Sequence, residues 1–397
     1  MKEFEALVIG AGAVGSSTAY NLALEGMDIA VIEKEHGPAM HQSSLNSGVI
    51  HAGYNPKPGT LKAQYCVEGN KELKAYCSEK GIPVREGGIL IVAQDESELE
   101  TIHILEDRGK ANGTNVSFLD EDEITSVEPF ARGVGALLAH DGASLDSRAY
   151  VQNLCSDSIN FGASYFYDTK VTSIRENEQR CIVETSKGTI AAKVVICAAG
   201  LNADTLGEDI SPDMRVISFR GYYAELDPNL VGLVNSHIYA APDLNFPFLG
   251  VHLSKRADGR VIVGPGAMLS FGKEAYRFFS VAGGGLERTL MWPGFWRMMQ
   301  KPEFQKLIVG EVRKSLRLSA IAKEASHLVP KLGKGNLARS YAGNRAQMVD
   351  INGNLVEDIV VRNTPRTIHV LNAVSPGLTC SLPFGRDLAK KAAALLD

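Results

Sequence analysis

Residues Glu5–Gly15 read EALVIGAGAVG. The first five are a short run, apolar after Glu5, suited to a buried strand, and Gly10-Ala11-Gly12-Ala13-Val14-Gly15 follows at once as G-x-G-x-x-G. Apolar positions Ala19, Leu22 and Ala23 then predict a helix to about Glu25, with Gly26 placed to end it. A second strand, IAVIE, closes on Glu33. This is a complete strand–turn–helix–strand unit rather than an isolated glycine pattern. Gly10 permits the tight turn, Gly12 lets backbone approach a pyrophosphate, and Gly15 lets helix and strand pack closely. The free N–H groups at the helix start suit phosphate. Glu33 stands where a carboxylate accepts from ribose hydroxyls, and it would repel a 2′-phosphate, which argues against NADP.

Two later segments favour FAD over NAD. AKVVICAAGLNAD (192–204) is a second buried strand ending in a glycine turn, and TIHVLNAVSPGLTCSLPFGRDLAKKAAALL (367–396) is a strand, a small-residue turn and a helix. Ser375-Pro376-Gly377-Leu378-Thr379 aims backbone N–H groups at an anion or a polarised carbonyl. Adenosine-binding elements at both ends of a long chain suit an extended flavin. The fold expected is α/β (α+β). A discontinuous Rossmann-like FAD-binding domain spans 1–80, 145–205 and 346–397. A β-sheet substrate domain spans 81–144 and 206–345, in which MRVISFRGYYAEL (214–226) and GRVIVGPGAML read as strands of one sheet.

The 397 residues suit two or three domain-sized units, and 45% hydrophobic with 22% charged residues is the balance of a globular protein. A net charge of −5 gives no sign of nucleic-acid binding. Six dispersed cysteines lack metal-ligand spacing, so no metal is expected, and they read as reduced thiols of a cytoplasmic protein. No apolar run reaches membrane-spanning length and the N-terminus carries no signal peptide.

SSLNSGVIHAGYNPKPGTLKA (43–63) is too polar and too rich in Gly and Pro for a core element. Together with the glycine fingerprint, FPFLGVHL, RAQ after a glycine and SPGLT, it resembles the FAD-dependent D-amino-acid-oxidase-like superfamily, and within it most closely the L-2-hydroxyglutarate dehydrogenases and oxidases. The likeness spans nearly the whole chain. It departs at Tyr54-Asn55-Pro56, at Gly343-Asn344-Arg345-Ala346-Gln347 where G-V-R-A-Q is usual, and at SPGLT where S-P-A-A-T is more common. The resemblance implies oxidation of an L-2-hydroxy acid, L-2-hydroxyglutarate foremost, to its 2-oxo acid. The FAD-holding set is Gly10, Gly12, Gly15, Glu33, Lys34, Ser43, Ser44, Ser47, Val171, Ala199, Gly200, Gly377, Leu378 and Thr379.

Oxidising a secondary alcohol through a flavin requires a base for the hydroxyl proton and a cation for the carboxylate. His51 and His252 are the candidate bases, against the plain alternatives of a turn cap and a core histidine. Arg345 and Arg220 are the candidate carboxylate partners, since a guanidinium presents a planar fork; the plain alternative is a surface ion pair. Tyr223 and Tyr239 are candidate hydrogen-bond partners of the substrate. Lys62 either meets an anion or is a solvated lysine at a helix start.

Competing readings are a glycerol-3-phosphate dehydrogenase-like enzyme, an amino-acid oxidase, and a non-enzymatic flavin-binding electron-transfer subunit. With no second dinucleotide motif, quinone or oxygen is the expected electron acceptor. Residues 288–332 carry nine Lys/Arg against three Asp/Glu and both tryptophans, Trp292 and Trp296. Such a segment suits either a helical cap on the substrate domain or a peripheral membrane contact.

Overall fold

The computed structural model describes residues 2–396 apart from 245–249, 278–279, 303, 306–307, 309 and 312–316. The opening unit forms as its pattern dictates: β1 (Lys2–Ile9), α1 (Ala13–Leu24) and β2 (Ile29–Ile32). Both strands are buried on two faces, and a parallel sheet grows around them. β2 pairs parallel to Ser164–Phe166, β1 to Gly188–Cys197, and that strand in turn to Thr367–Asn372. Antiparallel strands flank this core, and the sheet has eight strands.

The two faces of the sheet follow the alternation of β1. Ala6 and Val8 join Ala19, Leu22, Phe384 and Leu388 beneath α1 and the helix Ser381–Ala394. Leu7 and Ile9 join Val183 and Val195 on the other side. The buried face of α1 is made of small residues apart from Leu22, and a Cβ on Gly385 would meet Ser17 Oγ at 2.3 Å, so the two helices cross in direct contact.

A nine-stranded sheet forms the second layer. Its spine is the long antiparallel pair Met214–Leu226 and Leu337–Asp350. Val261–Gly264, His252–Lys255, His237–Ala240 and Ile89–Ala93 continue it. GRVIVGPGAML does join this sheet, as Val261–Gly264 and Met268–Leu269. One face is sealed by an apolar cluster against the helix Leu318–Leu328, and the other turns toward the first sheet. Residues 346–350, grouped from sequence with the FAD-binding segments, pair here instead, from Ser218↔Ala346 to Met214↔Asp350. The ladder of a 14-residue strand does not break where the sequence motif ends.

Candidate active site

Between the two sheets lies one large cavity of about 740 Å³. At one end are Gly10, Gly12, Glu33 and Lys34, and at the other His51, Tyr239, His252 and Arg345. Ser43, Ser47, Val171, Ala199, Gly200, Gly377, Leu378 and Thr379 line the length between them.

The first end is built from backbone. Gly10 has φ +103°, and a Cβ there would stand 2.6 Å from Ala198 O. Gly15 lies outside the cavity, where its missing Cβ lets Gly10 O approach, as expected of the third glycine. Glu33 Oε2 accepts the Ala11 N–H at 2.8 Å and Oε1 accepts that of Glu35 at 2.9 Å. Each carboxylate oxygen keeps a further lone pair for a ribose hydroxyl. Ser43 Oγ accepts the Ala13 N–H at 2.9 Å, tying the serine-rich segment to the start of α1. Ser44 does not line this cavity and sits beside its own turn, with Oγ directed at His41 O at 3.4 Å. Successive residues of a tight turn point apart, so the paired serines do not share a role.

Lys34 borders the cavity, but its ammonium is held by Glu35 at 2.8 Å and by Glu274. It serves as a tie across the two sheets rather than a free phosphate partner. His41 joins the same tie, with Nδ1 at 2.6 Å from Tyr276 OH. Sequence reading missed this joint, because Glu274 and Tyr276 lie some 240 residues from Lys34 and His41. Deeper in the same joint the Lys273 ammonium pairs with Asp204, both almost fully buried, and donates to Thr205 Oγ1 at 2.9 Å. Burial pulls the Lys273 amine below its ordinary value, opposed by Asp204.

The second end is built from strand faces. Phe219, Gly221 and Tyr223 look into the cavity, and Arg345, register partner of Phe219, looks in with them. Burial lowers the Arg345 guanidinium to about 10, so it remains a cation. Arg220 does not join it. Its fully buried guanidinium donates to Ala275 O at 3.0 Å and to Arg277 O, and lies over the Tyr222 ring. The polar face read at Ser218, Arg220 and Tyr222 is thus the face away from the cavity, because strand side chains alternate.

The candidate bases do converge. His51 backbone N–H donates to Thr379 Oγ1 at 3.1 Å, joining the turn after 43–50 to the C-terminal turn. The rings of His252 and Tyr239 stack at 4.0 Å between centroids. His252 Nδ1 lies 3.0 Å from Gly250 O, which makes Nδ1 the protonated nitrogen and leaves Nε2 as an acceptor. Burial holds both imidazoles down at about 4, so both are neutral at pH 7. A third histidine, His237, was not singled out from sequence. It shares a face with Tyr239 two residues on, is fully buried, and is depressed to about 3 by burial and then by His51 and His252. Alternation within HIYA was the available signal. Of FPFLGVHL, residues 246–249 lie outside those described.

The segment 288–332 divides. Trp292 is buried under the Arg215 guanidinium, in a cluster with Ile217, Phe219 and Phe295. Trp296 is 52% exposed and Met291 81% exposed, and Trp296 Nε1 donates to Leu290 O at 2.7 Å. The tryptophan pair expected to act together therefore faces two ways. Residues 303, 306–307, 309 and 312–316 of the segment are not described. No helix among the described residues is long and apolar enough to cross a membrane.

Residues 5–391 match the family described as FAD dependent oxidoreductase, DAO. The chain belongs to that family. It is 35% identical to the L-2-hydroxyglutarate dehydrogenase of Indibacter alkaliphilus, over 96% of this chain and 97% of that one. It is 34% identical to the human mitochondrial L-2-hydroxyglutarate dehydrogenase, over 97% and 88%. Among solved structures, the FAD-bound L-α-glycerophosphate oxidase of Mycoplasma pneumoniae superposes with TM-score 0.78 at 26% identity, covering 100% of this chain and 95% of that one. Glycine oxidase from Geobacillus kaustophilus shares the fold, with TM-score 0.74 at 19% identity over 98% and 95%. The protein is therefore an FAD-dependent oxidoreductase. The glycine loop, Glu33 and the long cavity fit that cofactor.

Proposed function

We propose that this enzyme oxidises L-2-hydroxy acids to 2-oxo acids, with L-2-hydroxyglutarate the preferred substrate. The observation that carries the reading is that two neutral imidazoles, His51 and His252, and the Arg345 guanidinium line one FAD-sized cavity together with the glycine loop. Identity of about 35% to L-2-hydroxyglutarate dehydrogenases along nearly the whole chain supports the substrate class.

Arg345 holds the carboxylate next to the carbinol carbon, which fixes which hydrogen faces the cofactor. His252, with Nε2 open and Nδ1 tied to Gly250 O, or His51 accepts the hydroxyl proton. Tyr223 and Tyr239 border the same space and orient the hydroxyl. Bound FAD supplies the acceptor for the hydride. The site residues Gly12, Glu33, Ser47 and Gly377 to Thr379 hold the cofactor along the cavity. Quinone or oxygen then takes up the electrons. The exposed Trp296 and Met291, with Arg288 and Arg297 nearby in sequence, suit docking on an anionic membrane surface beside a quinone. Wild-type protein should sediment with anionic liposomes at low salt, and Trp296→Ala should weaken this while Trp292→Ala mainly lowers stability. Protein that stays in the supernatant makes the segment a structural cap.

The structural likeness to a glycerophosphate oxidase keeps a phosphate-bearing alcohol as the second reading. Anaerobic mixing of the holoenzyme with 2-hydroxy acids and glycerol 3-phosphate separates the two. L-2-hydroxyglutarate should bleach the flavin fastest; fast bleaching by glycerol 3-phosphate alone would reverse the assignment.

A further inference from the structure

We infer that Lys62 is a specificity-determining residue: beside Arg345, which holds the carboxylate next to the carbinol carbon, Lys62 receives the second carboxylate of a dicarboxylate substrate. The inference rests on the reading of the cavity as a 2-hydroxy-acid site and adds the residue that would make it prefer two carboxylates over one.

Lys62 is the second residue of α2 (Leu61–Glu79), whose N-cap Thr60 accepts the Ala63 N–H at 3.2 Å. Residues four apart lie on one helix face, so Lys62, Cys66 and Asn70 form a stripe. The next two members of that stripe both reach His51: Cys66 Sγ lies 3.6 Å from His51 O, and Asn70 Nδ2 donates to the same oxygen at 3.0 Å. Lys62 is therefore one turn, about 5.4 Å of rise, from a side chain that touches the candidate base. Its own carbonyl lies 3.9 Å from Cys380 Sγ, next to Thr379, which accepts the His51 N–H. Lys62 lines the same cavity as Arg345, Lys62 from α2 and Arg345 from the second sheet.

This placement is not that of a solvated lysine at a helix start. Burial lowers the Lys62 amine and the charge of Arg345 lowers it further, opposed in part by Asp358 and Glu357. Glu357 and Asp358 also line the cavity, but neither forms an ion pair with the Lys62 ammonium. Asp358 Oδ1 takes the Lys62 backbone N–H at 3.0 Å, and Glu357 pairs with Lys57 at 3.2 Å. Among the described residues no carboxylate stands within ion-pair distance of the Lys62 ammonium. The positive end of α2 adds to the local potential. Two cations facing one space favour an anion with two charged groups over one with a single group. A monocarboxylate meets Arg345 alone, whereas a dicarboxylate meets both.

The test uses holoenzyme with Lys62→Met and Lys62→Arg. Glutarate and butyrate are titrated against the oxidised flavin spectrum, and L-2-hydroxyglutarate and L-2-hydroxybutyrate are compared as anaerobic reductants. In wild type the dicarboxylate should win both comparisons. Lys62→Met should cut the dicarboxylate-to-monocarboxylate ratio by about tenfold or more, and Lys62→Arg should restore most of it. Equal weakening of both ligands, leaving the ratio unchanged, makes Lys62 structural and overturns the proposal. So does a wild type with no dicarboxylate preference while 2-hydroxy acids still reduce the flavin. A flavin that no 2-hydroxy acid reduces removes the reading on which the proposal rests, and the proposal with it.

Discussion

The two ends of the cavity are made by different means. At the Gly10–Glu33 end the chain presents backbone: a glycine at φ +103°, helix N–H groups, and a carboxylate fixed by two backbone donors. At the Arg345 end it presents side chains from strands, where one step along the chain reverses the direction a residue points. Arg220 and Arg345 stand one register step apart, Phe219↔Arg345 and Arg220↔Asn344, yet one is walled in by backbone carbonyls and the other borders the cavity. A backbone-built site tolerates little change of sequence. A strand-built site is retuned by single side chains while the fold persists.

The difference can be broken most forcefully at the bases. His252→Asn or His51→Asn should slow flavin reduction by roughly 10²–10⁴-fold, with FAD still bound, and the true base is the one whose loss also removes the acid limb of the rate profile. If both variants reduce flavin at the wild-type rate, the proton goes to another group or to water.

A second test concerns the joint between the sheets. Lys273→Met leaves Asp204 buried without its cation and should cost about 3–5 kcal/mol of stability. The double variant Lys273→Met/Asp204→Leu should recover most of that loss, as read by thermal or urea unfolding of the holoenzyme. An equally unstable double variant would show that packing, not the charge pair, holds the joint.

The third sharpening is in pH. His51 and His252 are held at about 4 and His237 at about 3, all below the ordinary 6.5 or so of an unfolded chain. The unfolded state therefore binds more protons between those values. Stability is complete above about pH 6.5 and falls as pH drops toward 4, by up to about 1.4 kcal/mol per pH unit for each histidine. Unfolding of His237→Gln across this window should show a shallower slope; an unchanged slope would place the proton uptake elsewhere.

How much was legible in the sequence follows the same division. The glycine loop, Glu33, the buried strand at 192–197 and the turn at 375–379 were readable because local pattern and backbone chemistry coincide there. His51, His252, Tyr223, Tyr239 and Arg345 were readable as candidates, and all border the cavity. Arg220 was misread because three polar residues at alternate positions look alike whichever sheet face they occupy. Ser44 was misread for the corresponding reason in a turn. The ties through Lys34–Glu274, His41–Tyr276 and Lys273–Asp204 carry no local signal, since each joins segments far apart in the chain. The pairing of residues 346–350 with the second sheet follows from a ladder that only the folded structure displays.

The contrast between the two arginines bears most directly on where substrate sits. The measurement is the concentration of L-2-hydroxyglutarate that half-saturates the rate of anaerobic flavin reduction, in Arg345→Ala and Arg220→Ala holoenzymes. Loss of a charged contact worth roughly 1.5–3 kcal/mol predicts a rise of about tenfold or more for Arg345→Ala with flavin retained. Arg220→Ala should instead lower the unfolding temperature and leave half-saturation within about twofold, a change of some 0.4 kcal/mol. Unaltered half-saturation in a folded, yellow Arg345→Ala protein, with the shift appearing in Arg220→Ala, would contradict the account.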